Sequence, residues 1–318
     1  MIIRSSFFYI GIIIFHLQAC SQKNLQQETL IKESVANFNS QRYKEALISF
    51  DNLIALDSAD YVSWAFRGRT LHLLKRDDEA FTSLNKALSI NNKYYEGYGY
   101  RATIYSLHGQ PEIALRDINM ALSGNAYDTT LLQIRAGFFL KINKFDSAIL
   151  DCNYLIKLNP KNSQTLYQRG RTFRQMGHIQ KALNDFNSAI EIDPNDPKKH
   201  NDRGFLFIAQ EKYDLAILDF TRSIQLAGNR NLTAKAYSYN NRGFCQYKNS
   251  NLREALKDVN YSIQFLPVNS YAYKNRALIY FGMKEKTKAC LDLKVSLSLG
   301  FTEKFGNEVL TLQSINCK

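Results

Sequence analysis

"LYQRGRTFRQMGHIQKALNDFNSAIEIDP", residues 166–194, sets small residues at Gly170 and Ala182, large apolar Phe186, and a closing Pro194. Its Ala182 is one of a series: Ala46, Ala80, Ala114, Ala148, Ala182, Ala216, Ala255 and Ala289. Six of the seven intervals are 34 residues; Ala216 to Ala255 carries five more, near 231–235. A fixed period of this length is the signature of stacked supersecondary units.

Numbering each unit so that these alanines fall at position 20 brings other positions into register. Position 8 is always small: Ser34, Gly68, Ala102, Ala136, Gly170, Gly204, Gly243 and Ala277. Position 24 is mostly large and apolar, as in Phe50, Leu84, Ile118, Phe186, Phe220 and Leu293. Position 32 holds Pro160, Pro194 and Pro267, and Trp64 stands at position 4 of the second unit. Small residues at 8 and 20 let two helices approach, and proline ends the second because it lacks an N–H and clashes with the preceding turn. A single hairpin has too little core to stand alone, so the units must stack. The pattern resembles the tetratricopeptide repeat over about residues 27–303. The resemblance implies an all-α, right-handed solenoid of about eight helix-turn-helix repeats. Residues 304–318 are expected to form a C-terminal cap and tail. Phe301, Phe305, Val309, Leu310 and Leu312 would line a short capping helix.

The family usually has leucine at position 7. This chain has Arg67, Arg101, Arg135, Arg169, Arg203, Arg242 and Arg276, with Glu33 in the first unit. Position 23, sixteen residues later, holds Asp117, Asp151, Asp185, Asp219, Asp258 and Asp292, while the second unit has Ser83. The hairpin turns near position 15, midway between the two, so both lie at one height on antiparallel helices. A ladder of structural ion pairs is expected, since the guanidinium fork suits a carboxylate even when partly desolvated. The alternative is that these arginines face a ligand.

The resemblance also implies a peptide groove lined by positions 2, 5, 9 and 12 of the first helices. Those positions carry Arg69, His72, Gln133, Tyr167, Arg171 and Arg174 in the middle of the chain. Toward the C-terminus they carry Asn201, Phe205, Asn240, Phe244, Tyr247, Lys274 and Phe281. A polar-basic section followed by an aromatic one suits an extended peptide with acidic and apolar residues, although the aromatics equally suit inter-repeat packing. The chaperone-tail carboxylate clamp of some family members needs Lys at 5 and Asn at 9 of one unit, a combination absent here.

The 318 residues are 45% hydrophobic and carry a formal net charge of +12. That apolar content excludes general disorder. Residues 230–318 contain 14 Lys/Arg and six Asp/Glu, so the basic excess lies toward the C-terminus and includes "KEKTK" at 284–288. Solvated turns account for such charge, as does attraction to anionic headgroups, acidic glycans or an acidic partner. The five histidines are scattered, and no P-loop, GxSxG, dinucleotide or HExxH pattern occurs. No enzyme, cofactor or metal is therefore expected.

The N-terminus, "MIIRSSFFYIGIIIFHLQAC", has Arg4, a short apolar run from Phe7 to Leu17, and Leu17-Gln18-Ala19-Cys20. The run suits a signal-peptide core and is too short to span a bilayer. It resembles a bacterial lipoprotein signal, which implies a signal at 1–19, lipidation of Cys20 and a tether over 20–26. Gln18 departs from the small residue often found there. An ordinary cleaved secretory signal and an uncleaved anchor are the alternatives. The other cysteines, Cys152, Cys245, Cys290 and Cys317, show no metal spacing and no disulfide framework. Free buried thiols are the expectation, with a Cys290–Cys317 bridge as the alternative.

Together these features lead to a lipid-anchored, non-enzymatic scaffold that gathers proteins or peptides at a membrane of a bacterial envelope. The alternative is binding of an anionic polymer or nucleic acid through a basic groove and C-terminal surface. Export weighs against genomic DNA.

Overall fold

The computed structural model describes residues 25–228 and 231–317. The signal at 1–19, Cys20 and the first part of the tether lie outside the described residues. Among those described, all regular secondary structure is helical, and no helix is long and apolar enough to cross a membrane. The chain divides into two compact units, one ending at Asp151 and the other beginning at Cys152.

The first unit holds α1 (residues 25–39), α2 (Tyr43–Leu56), α3 (Tyr61–Leu73), α4 (Asp77–Ile90), α5 (Tyr95–Leu107), α6 (Pro111–Gly124), α7 (Thr129–Lys141) and the start of α8 (Phe145–Leu158). Residues 25 and 26, read from sequence as tether, are already helical, since nothing in Leu25-Gln26 breaks a helix. Helices pack in consecutive antiparallel pairs. Asp60 and Asp128 start α3 and α7 by accepting backbone N–H groups of the first turn. Leu30 and Phe38 of α1 pack on Phe50 and Leu53 of α2, and Leu71, Leu84 and Ile104 fill the next layer.

The second unit repeats the plan with α9 (Ser163–Gln175), α10 (Ile179–Ile192), α11 (Pro197–Ala209), α12 (Tyr213–Ala227), α13 (Leu232–Lys248), α14 (Leu252–Phe265), α15 (Ser270–Gly282) and α16 (Lys286–Ser298). Within the α9–α10 hairpin, Gly170 faces the ring of Phe186. A Cβ there would lie 2.7 Å from that ring, so the small residue at position 8 sets the helix separation. The five extra residues are absorbed as helix. α13 has 17 residues where α11 and α15 have 13, and α12 has 15 where α10 and α14 have 14.

Position 15 has a positive φ in every hairpin, at Gln41, Lys75, Gly109, Asn143, Gly177, Glu211, Ser250 and Lys284. Two of the eight are glycine. The others accept the left-handed conformation because the packed helices on either side require that turn.

The end of the chain departs from the expectation of one capping helix. There are two, α17 (Phe301–Phe305) and α18 (Glu308–Asn316), separated by Gly306 at φ 85°. The 303/304 boundary therefore falls inside α17. Phe301 and Val309 are fully buried against Leu293, while Phe305 and Leu310 remain exposed. Cys290 and Cys317 are joined in a disulfide that ties α16 to the residue after α18. This corrects the expectation of free thiols for that pair. The sulfurs are 27 residues apart in sequence and meet because α17 and α18 fold back over α16. Cys152 and Cys245 lie outside the bridge and are buried.

Candidate functional site

The position-7 arginines are consumed inside the fold. Arg169 donates from Nε and Nη2 to the two oxygens of Asp185, at 2.8 and 2.7 Å. Arg101–Asp117, Arg135–Asp151, Arg203–Asp219, Arg242–Asp258 and Arg276–Asp292 share this bidentate geometry at 2.7–2.8 Å. The aspartates are buried, and the arginine side chains keep about a fifth of their surface in solvent. The bond to Asp185 raises Arg169 above the ordinary guanidinium value, outweighing the opposing effect of burial.

Each arginine also has a second reach. Its Nη1 donates to position 25 of the preceding hairpin: Asn85, Asn119, Asn153, Asn187 and Asn260 receive Arg101, Arg135, Arg169, Arg203 and Arg276. Arg242 meets Thr221 at that position across the five-residue insertion, so the added helix leaves the ladder in register. The second repeat rearranges the same parts. Arg67 has Ser83 at position 23, so its Nε takes Asp51 at position 25 of the first repeat. The carboxylate has moved from one rung to the adjacent one. Position 25 was missed as a partner in the sequence, although its asparagines recur at the 34-residue spacing.

The residues assigned to a groove divide into two places and a remainder. In the first unit Arg69 lies between the rings of Phe38 and Tyr100, 4.8 and 4.9 Å from their centres, and borders a cavity of about 540 Å³ with His72 and Gly99. His72 Nδ1 contacts Asp77 at 2.7 Å, and His108 Nε2 contacts the other oxygen at 2.9 Å. Burial alone would push Asp77 up, but the two histidine contacts outweigh it and hold the carboxyl below its ordinary value. Gln133 is half-buried on α7.

In the second unit Tyr167, Arg171, Arg174 and Asn201 come together around a cavity of about 380 Å³, with Lys198, Asp202 and Tyr237. Asp202 is its centre. It accepts the Tyr167 hydroxyl at 2.8 Å and lies 3.2 Å from Arg174 and 3.8 Å from Arg171. Tyr167 is buried, which pushes its phenol well above the ordinary value. It is therefore a wall of the cavity and not the open groove residue expected.

Asn240 and Lys274 are corrected in the same way. Asn240 is 3% exposed and bonded to Asn241 and Asn275. Lys274 is 5% exposed, with its ammonium 2.8 Å from Glu308 of α18 and close to the rings of Phe244 and Tyr271. The helices adjoining these positions cover them and supply the partners. Phe244, Tyr247 and Phe281 are half-buried, the last two packed in hydrophobic clusters. Phe205 is 40% exposed. Among the described residues no cluster of His, Cys, Asp and Glu could hold a metal ion.

Family models of the tetratricopeptide repeat match residues 61–94 and 163–196, so the chain carries tetratricopeptide repeats. Its fold is similar to that of a tetratricopeptide repeat protein from Parabacteroides merdae (22% identity, TM-score 0.64, 80% of this chain and 98% of that one). It is also similar to a chain of the APC/C hetero-tetramer Cut9–Hcn1 (17%, TM-score 0.65, 89% and 55%). A third likeness is to Pseudomonas aeruginosa pilF (17%, TM-score 0.58, 70% and 98%). The chain thus spans about half the length of the Cut9–Hcn1 chain it matches. No curated protein matches the sequence.

Proposed function

We propose that this protein is a non-enzymatic scaffold that binds other proteins or peptides, held by a lipid on Cys20 at a membrane of the bacterial cell envelope. The observation that carries the binding role is the sorting of arginines on α9. Arg169 is spent on Asp185 and Asn153, whereas Arg171, two residues away, keeps 45% of its side chain in solvent beside a polar cavity. Arginine and tyrosine beside a recess are characteristic anchors of protein interfaces. The use of a similar fold in a hetero-tetramer is consistent with that role. The lipobox-like Leu17-Gln18-Ala19-Cys20 supports anchoring, and the Cys290–Cys317 bridge supports an oxidising compartment.

Crosslinking in intact cells, followed by mass spectrometry of adducts and of the mature N-terminus, tests both parts. Specific protein adducts and an acylated Cys20 are expected. A chain that crosslinks only to nucleic acid or polysaccharide overturns the scaffold role. A Cys20→Ala variant that stays membrane-bound with the same processing overturns the lipid anchor.

A further inference from the structure

We propose that the cavity between α9, α11 and α13 is an anchor site for a carboxylate side chain of a partner peptide, and that Asp202 occupies its arginines until that carboxylate displaces it. This rests on the protein-binding reading above and gives that site a ligand chemistry.

Charge is unbalanced within the cavity. Among the lining residues the cations Arg171, Arg174 and exposed Lys198 outnumber the one carboxylate, Asp202, which the two arginines approach. The position-7 rungs, by contrast, match one arginine to one aspartate with two bonds each. Asp202 satisfies neither cavity arginine in that way. Its contact with Arg171 is 3.8 Å, beyond hydrogen-bond length, and that with Arg174 is single. The stronger hold on Asp202 is the Tyr167 hydroxyl at 2.8 Å, which fixes one oxygen toward the wall.

An incoming carboxylate can therefore take the open edge of Arg171 and compete for Arg174, while Lys198 supplies attraction at the rim. Pro197, Ala234 and Tyr237 form the apolar part of the lining, which suits an apolar residue next to the acidic one. The resident aspartate gives selectivity. A neutral ligand gains nothing from the arginines yet must still leave them satisfied, whereas an acidic one replaces one carboxylate with another.

Fluorescence anisotropy on the full chain tests this with a labelled nonapeptide carrying two glutamates around a phenylalanine, and a twin carrying glutamines. The glutamate peptide is expected to bind about tenfold tighter, as loss of a charged hydrogen bond implies. Arg171→Gln, at an exposed position that leaves the fold intact, is expected to erase that difference. Asp202→Asn is expected to tighten the glutamate peptide about threefold or more, since it removes the competing charge. Equal binding of the twins, no saturable binding of the glutamate peptide at millimolar concentration, or weaker or unchanged binding by Asp202→Asn overturns the proposal. So does a single-stranded oligonucleotide that binds tighter than the peptide and is lost with Arg171→Gln. Protein crosslinks in cells that persist in Arg171→Gln leave the scaffold role standing while removing this site from it.

Discussion

Arg169 and Asp185 face each other across the α9–α10 hairpin with two parallel bonds of 2.8 and 2.7 Å, and Asp185 is 5% exposed. A buried pair of this kind contributes little against a well-packed apolar replacement, but breaking it leaves a charge without its partner. Arg169→Ala and Asp185→Ala are each expected to cost about 3 kcal/mol. The double variant is expected to cost far less than their sum. Denaturant unfolding with a double-mutant cycle checks this, and additive effects would show that the pair is not a unit. Asn153→Ala removes only the third bond, and about 1 kcal/mol is expected.

The displaced rung at Arg67 gives a rescue experiment. Asp51 is its carboxylate, and about half of the Asp51 side chain is in solvent. Asp51→Asn is therefore expected to cost less than about 1 kcal/mol. Ser83→Asp in that background should restore the loss, because Ser83 already lies at the Arg67 guanidinium, 2.6 Å from Nη1. Hydrogen exchange in α3 and α4 reads the outcome, and a further loss on adding Ser83→Asp would show that the two rungs are not equivalent.

Gly170 holds the hairpin spacing. Alanine there improves helix propensity by about 1 kcal/mol, but its methyl would meet Phe186, which is fully buried. Overpacking of this sort costs about 1–3 kcal/mol. A net loss of stability is expected for Gly170→Ala, partly recovered by Phe186→Leu. Stabilisation by Gly170→Ala alone would mean that the helices separate freely.

The Cys290–Cys317 bridge closes a loop with a sequence separation of 27. Chain entropy alone gives about 3.5 kcal/mol for such a loop. Reduction, or Cys317→Ser, is expected to open α17 and α18 to proteolysis before the hairpins of the second unit unfold. Cys245 provides the internal control. Its thiol is buried, which pushes it up to about 12, so iodoacetamide at pH 8 should label it only after global unfolding. Rapid native labelling of Cys245, or a cap equally protected without the bridge, would contradict these assignments.

The 34-residue period, the turn at position 15 and the sixteen-residue offset from Arg169 to Asp185 are all properties of one dimension. Each can be read along the chain because a hairpin places fixed offsets at equal heights, whatever its neighbours are. Even the missed asparagines at position 25 were present as a recurrence. Their partner belongs to the next hairpin, so the spacing alone did not say which face they met. Tertiary structure decided what depends on contacts without a fixed offset. It buried Tyr167, Asn240 and Lys274 under adjoining helices, set Asp202 among two arginines and a tyrosine, and folded Cys317 back onto Cys290. Those outcomes rest on how particular side chains fill the space between hairpins, and that space exists only after the repeats have stacked.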